Sequence, residues 1–118
     1  MFRTALLTLV AAALVVVASA QAKTPLLKGE TGPGFEIEVK NPAGKDLKTI
    51  KAGTYRIKVQ DKSSIHNFHL RGPGLNKKTG IGFTGETTWT IKLKPGKYTY
   101  VCDPHAFEGM KGSFRVTR

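Results

Sequence analysis

One cysteine, one tryptophan and two methionines occur in 118 residues, and acid is scarce, with 8 Asp and Glu against 19 Lys and Arg. A lone cysteine excludes an internal disulfide, so Cys102 needs another explanation: pairing with a second chain, an inert buried thiol, or a metal thiolate. Paired carboxylates are missing. The sole nucleophile beside a candidate base is Cys102 near His105, whereas a papain-like thiol site places its histidine far away in sequence. These absences remove the common hydrolytic signatures, and the chain is not expected to be an enzyme. Beyond residue 20 no stretch keeps an amphipathic helical period, which excludes a helical bundle.

Long apolar runs are missing too, except at the start. Met1-Phe2-Arg3 is followed by an apolar run from Ala5 to Ala18 and by Ala18-Ser19-Ala20. This is the charged beginning, greasy middle and small-residue cut site of a secretory signal. The run is shorter than the ~20 apolar residues needed to cross the hydrocarbon core, so a cleaved leader is expected rather than an anchor. The expected division is a signal peptide over 1–20 and a mature domain over 21–118. Ala20-Gln21-Ala22 offers an alternative cut after Ala22. The mature chain is then periplasmic, monomeric and free of stable membrane insertion.

Arg3 is the only charged residue lost with the leader, so the mature net charge falls from +11 to +10. A positive surface favours acidic partners and acts on encounter rate and solubility. Nucleic acid binding would need clustered cations with stacking aromatics, yet Lys40, Lys45, Lys48, Lys51, Lys58, Lys62, Lys77, Lys92 and Lys97 are scattered through turns and strands. No nucleic acid partner is expected. The charge reads as a solvated surface with a steering role.

From residue 35 onward the period is two. Phe35, Ile37 and Val39 alternate with Glu36, Glu38 and Lys40, and Tyr55, Ile57 and Val59 alternate with Arg56, Lys58 and Gln60, as half-buried strands do. Asn41-Pro42-Ala43-Gly44, Lys51-Ala52-Gly53 and Gly72-Pro73-Gly74 supply turns. Trp89 to Leu93, the turn Lys94-Pro95-Gly96-Lys97 and the strand Lys97 to Cys102 read as a hairpin whose return arm points Tyr98, Tyr100 and Cys102 to one face. Phe114 and Val116 belong to a closing strand. Residues 21–34, broken by Pro25, Gly29, Gly32, Pro33 and Gly34, read as a leader or an edge segment. Turn signals every 8 to 12 residues predict an all-β sandwich or barrel.

Chemistry concentrates near the C-terminus. Cys102, His105 and Met110 follow Cys-x-x-His-x-x-x-x-Met on one short loop. Thiolate, imidazole and thioether together suit copper, especially with a second imidazole from elsewhere. Ile65-His66-Asn67-Phe68-His69 offers one. Period-two parity puts His66, Phe68 and Leu70 on the inward face and sends Asn67 and His69 the other way, towards solvent or a neighbouring loop. His66 is therefore the expected ligand, with His69 as the alternative if the register slips. Asn67 is placed to brace the backbone near Cys102. Pro104 restrains the Cys102–His105 separation through its fixed φ, and Gly109 lets the loop pass close before Met110. Glu108 is expected in solvent. Two imidazoles and a thiolate with a distant axial thioether describe a blue-copper site with no open position for a substrate.

The loop from Cys102 to Gly112, the preceding Tyr98-Thr99-Tyr100-Val101 and the upstream His66-Asn67 pair resemble the cupredoxins, with the plastocyanin and pseudoazurin branch nearest in loop spacing. The resemblance runs from about Phe35 to Arg118. It implies an eight-stranded Greek-key β-sandwich with one type 1 copper ion, Cu(I)/Cu(II), held by His66, Cys102, His105 and Met110. It also implies an electron port at the His105 edge, ringed here by Ala106, Phe107 and Leu75. The expected function is carriage of single electrons between redox partners, at least one with an acidic docking surface. Two alternatives are a periplasmic copper carrier or buffer, and an interaction module that keeps the fold without redox work. A carrier favours extra Met or His near the mature N-terminus, and residues 21–34 contain neither.

Overall fold

The computed structural model describes residues 11–13 and 24–118, so both signal cut sites lie outside the described residues. Among them are nine strands: β1 Leu26–Thr31, β2 Ile37–Lys40, β3 Thr49–Lys51, β4 Gly53–Asp61, β5 His69–Gly72, β6 Leu75–Lys78, β7 Gly85–Leu93, β8 Gly96–Val101 and β9 Lys111–Thr117. They form two sheets, ordered β2-β1-β4-β7 and β3-β9-β8-β5-β6. Alternation supplies the core between them. Leu27, Val39, Ile57, Val59, Ile91 and Leu93 point in from the first sheet, and Leu70, Tyr98, Tyr100, Phe114 and Val116 from the second. The all-β sandwich is the expected one, with nine strands instead of eight because the short β3 adds to β9 in parallel.

Within the segment expected to be a leader or an edge, Leu26–Thr31 is neither. β1 lies inside its sheet, antiparallel to β2 and parallel to β4. Its glycine misleads because the missing side chain makes room for another residue: a Cβ on Gly29 would stand 2.7 Å from Cζ of the fully buried Phe68. Phe68 also stacks on Tyr100, with ring centroids 6.2 Å apart and planes 8° from parallel.

The hairpin expected around Lys94-Pro95-Gly96 does not form either. β7 pairs with β4 in one sheet, and β8 pairs with β5 and β9 in the other. The turn carries the chain across the sandwich, with Gly96 at φ +141°, a region that side chains disfavour. A bond from the Lys94 amide to the Tyr98 hydroxyl, 3.0 Å, and one from that hydroxyl to the Pro73 carbonyl, 2.8 Å, fasten this corner.

Pairing fixes where the loops emerge. Thr31 faces Ile37 and Asp61, Asp61 faces Gly85, and Val101 faces His69 and Lys111. Segments 62–68 and 79–84 bridge the two sheets from these strand ends, so loops 32–36, 62–68, 79–84 and 102–110 crowd one end of the sandwich.

Candidate metal centre

Cys102 follows the last residue of β8 and is completely buried. The next residues form a 3-10 helix, Asp103–Glu108, with Pro104 in its first turn, where a missing N–H costs nothing. His105 is drawn back by its amide, which donates to the Cys102 carbonyl at 3.1 Å. Gly109 ends the helix at φ +95°, a left-handed position suited to glycine. The chain then returns so that the Cys102 amide donates to the Met110 carbonyl at 3.0 Å and the Met110 amide to the His105 carbonyl at 3.3 Å. Met110 is thereby pinned beside both residues and buried. Glu108 is exposed, as expected.

His66 enters from loop 62–68 and is fully buried. Its Nδ1 lies 3.0 Å from Nδ1 of His105 and 3.6 Å from the Cys102 sulfur, and His105 Nδ1 lies 3.4 Å from that sulfur. A point equidistant from these three atoms in their plane is about 1.9 Å from each, against first-row metal bonds of ~2.0–2.3 Å to nitrogen and sulfur. No carboxylate belongs to the cluster. Two imidazoles and a thiolate, without a hard oxygen donor, form a type 1 copper arrangement and fit a soft or borderline ion of that size. Gly32 makes room for the His66 ring. At φ +74°, its absent Cβ would sit 2.9 Å from the His66 ring.

Of its two expected surroundings, solvent or a neighbouring loop, His69 meets the loop. It is buried on the opposite side of the chain, with Nδ1 donating to Asp103 Oδ1 at 2.9 Å and Nε2 lying 2.6 Å from Asn76 Oδ1. Both ring nitrogens are engaged, and His69 is outside the donor cluster. The two histidines do point to opposite sides, but His66 lies in loop 62–68 rather than on the strand that the parity reading assumed, since β5 starts at His69, and packing buries both sides. Asn67 clamps the ligand loop. Its Oδ1 accepts from the Asp103 amide at 2.8 Å, and its Nδ2 donates to Asp103 Oδ2 at 2.8 Å and to the Thr79 carbonyl at 3.3 Å. Burial pushes the Asp103 carboxyl up, but the bonds from Asn67 and His69 outweigh it and leave its pKa lowered. Thr79 locks loop 62–68, its hydroxyl accepting from the Phe68 amide at 2.9 Å and its amide donating to the Phe68 carbonyl at 3.0 Å.

Three members of this neighbourhood escape sequence reading. Thr79 and Asp103 carry no local sign of their roles. Phe35 is read as a strand residue, yet β2 starts at Ile37 and the Phe35 ring stands edge-on to His105 and His66, with centroids 4.9 and 5.6 Å away. Gly32-Pro33-Gly34 before it is the available sign of a loop. Ala106 and Phe107 flank His105, and Phe107 is 84% exposed. Leu75 is not in this ring: it pairs with Gly72 at the turn end of the β5–β6 hairpin, remote from His69, and packs on the core.

Comparisons with known proteins agree with this architecture. Amicyanin-alpha of Methylorubrum extorquens (strain ATCC 14718 / DSM 1338 / JCM 2805 / NCIMB 9133 / AM1) is 37% identical over 70 residues, covering 57% of each chain, so the match spans just over half of that relative. Among solved structures, reduced rusticyanin superposes with a TM-score of 0.57 at 24% identity, covering 81% of each chain. Rusticyanin from Thiobacillus ferrooxidans gives 0.56 at 24% identity, covering 81% of this chain and 79% of that one. These structural likenesses carry the fold. The sequence relative is an amicyanin, whereas the loop spacing points to plastocyanins and pseudoazurins; the two agree at the level of the family. Since the cupredoxin-like domain is matched over residues 6–116, nearly the whole chain, the protein belongs to the cupredoxin-like family.

Proposed function

We propose that this chain is an exported, non-enzymatic electron carrier that binds one copper through His66, Cys102, His105 and Met110 and exchanges single electrons with protein partners in the periplasm. The observation that carries this reading is the convergence of three soft or borderline donor atoms within 4.8 Å of one another, two of the residues wholly buried. Copper in such a set supplies one-electron chemistry between Cu(I) and Cu(II).

The protein's part is to hold the ligands still. Asn67 ties the residue after Cys102 to loop 62–68, and the Met110 carbonyl is bonded to the Cys102 amide. A donor set anchored by buried hydrogen bonds moves little when the charge at its centre changes. Access is through His105, the partly exposed member. The four exposed large hydrophobics among the described residues, Phe35, Ile65, Ile81 and Phe107, lie one on each of the four loops at this end. An apolar rim of that kind favours close, water-poor contact with a partner.

Adding Cu(II) to the metal-free protein is expected to produce an intense visible thiolate-to-copper absorption that vanishes on reduction and returns on reoxidation. Cys102→Ser is expected to abolish it. A colourless complex, or copper lost at each reduction, sinks the proposal.

A further inference from the structure

The basic residues scattered along the sequence are sorted by the fold. The strands of the five-stranded sheet, β3, β5, β6, β8 and β9, contain no Asp or Glu. Register places Lys78 and Lys111 in one row across this sheet, Arg71 with Thr99 and Ser113 in the next, and Lys97 with Arg115 in a third. All five cations are exposed, while their strand neighbours Leu70, Tyr98, Tyr100 and Phe114 are in the core. The lysine–carboxylate ion pairs among the described residues, Lys40 with Glu38 and Asp46, Lys58 with Glu86 and Lys62 with Glu30, belong to the four-stranded sheet and its loops. The four-stranded sheet thus answers part of its charge internally, although its exposed Lys28, Arg56 and Lys92 belong to none of these pairs. On the five-stranded sheet Asp103, at the metal end, acts on Lys78, whereas Arg71, Lys97, Lys111 and Arg115 make no ion pair among the described residues.

The sheet whose strands lack acidic residues is also concave on its outer face. A groove of about 470 Å³ runs across it, lined by Arg71, Lys97, Lys111, Thr99, Ser113 and Val101 among others. Its rim adjoins the metal centre, because Val101 precedes Cys102 and Lys111 follows Met110. Among the described residues, none of the four large exposed hydrophobics is on this face. It therefore has neither the apolar wedge that anchors a protein in lipid nor the aromatic platform on which bases stack. Carboxylates on a folded protein surface are what remains, and Arg71 offers them a forked donor.

We propose that the outer face of the five-stranded sheet, centred on Arg71, Lys97 and Lys111, is the docking surface for an acidic patch on the protein that exchanges electrons with this chain. The proposal rests on the electron-carrier reading above, and adds the partner's chemistry and the surface that meets it. Docking here is separate from the apolar end, so charge and apolar contact act through different residues.

The test uses the copper-loaded, reduced, isotope-labelled protein titrated with a poly-L-glutamate peptide and followed by amide NMR shifts. Shifts are expected at residues 71, 97–99 and 111–115, and Arg71→Glu with Lys97→Glu is expected to weaken binding about tenfold. The control Lys28→Glu with Lys92→Glu makes the same change in net charge on exposed positions of the four-stranded sheet and is expected to have a small effect. Equal weakening by both pairs, or shifts centred on residues 28 and 92 or on the apolar end, overturns the proposal. So does tighter binding through this face to phosphatidylglycerol vesicles or oligothymidylate than to the peptide. Visible absorption and reduction potential of the Arg71/Lys97 variant are expected to match the parent. If the parent itself shows no reversible blue colour, the electron-carrier reading fails whatever the peptide does.

Discussion

At Cys102, His66 and His105, ordinary side chains acquire a joint chemistry because three atoms lie within bonding reach of one centre. The two histidines of the His66-Asn67-Phe68-His69 segment test this division of labour. His66→Ala is expected to remove the visible absorption. His69→Ala is expected to keep it while weakening copper affinity about 10–100-fold, since it removes a support of Asp103 rather than a donor; absorption spectra and copper competition titrations separate the outcomes. Asp61 makes a second test. Burial raises its carboxyl above the ordinary 3.8, opposed by the Ser63 amide and His66. A raised folded pKa means the native state holds the proton more tightly, so Asp61 contributes stability fully below pH 3.8, and this is lost as pH rises through the raised value. Asp61→Asn removes that dependence. In the metal-free protein the melting-temperature difference, variant minus parent, is expected to grow as pH rises from 3.8 and then level off; a difference that shrinks with rising pH contradicts the account.

Among the elements, β1 and the loop after it determine whether the site has space. Gly29 leaves room for Phe68, and Gly32 leaves room for His66. Gly29→Ala forces its methyl against a ring fixed in the core and is expected to cost about 1–3 kcal/mol, the usual range for overpacking. Thermal unfolding is expected to shift downward by about 4–8 °C per kcal/mol for a domain of this size. Gly32→Ala adds strain at a positive φ of about 1–2 kcal/mol and presses on a ligand rather than on the core. Its expected signature is different: altered visible absorption and weaker copper retention, out of proportion to the fall in melting temperature. A Gly32→Ala protein with unchanged colour but lowered stability assigns Gly32 to folding alone.

Across the whole molecule the excess of cations is the dominant field. Exposed charges are screened beyond a Debye length of ~8 Å at physiological ionic strength, so long-range attraction fades as salt rises. Oxidation of the reduced protein by ferricyanide, an anion, is expected to slow with added salt. Oxidation by a tris(phenanthroline)cobalt(III) cation is expected to quicken. Stopped-flow rates at two salt concentrations decide it, and parallel responses to salt from both oxidants contradict steering by charge.

What residues 21–118 determined alone was the strand period and the nearness of Cys102, His105 and Met110, because both are written in spacing: two residues per strand repeat, and Cys-x-x-His-x-x-x-x-Met on a loop too short to separate the three. Strand parity named His66, which does join the cluster, but from a loop and not from the strand that the parity reading assumed. Tertiary packing decided everything that depends on atoms brought from distant segments. Gly29 and Gly32 resemble breakers until Phe68 and His66 occupy the space beside them, and the Lys94–Lys97 turn serves a hairpin or a crossing equally well until β7 finds β4 and β8 finds β5 and β9. The charge pattern is of the same kind. Cations far apart in the chain become one strongly basic face only when five strands stand side by side, about 4.8 Å apart, with alternate side chains turned outward.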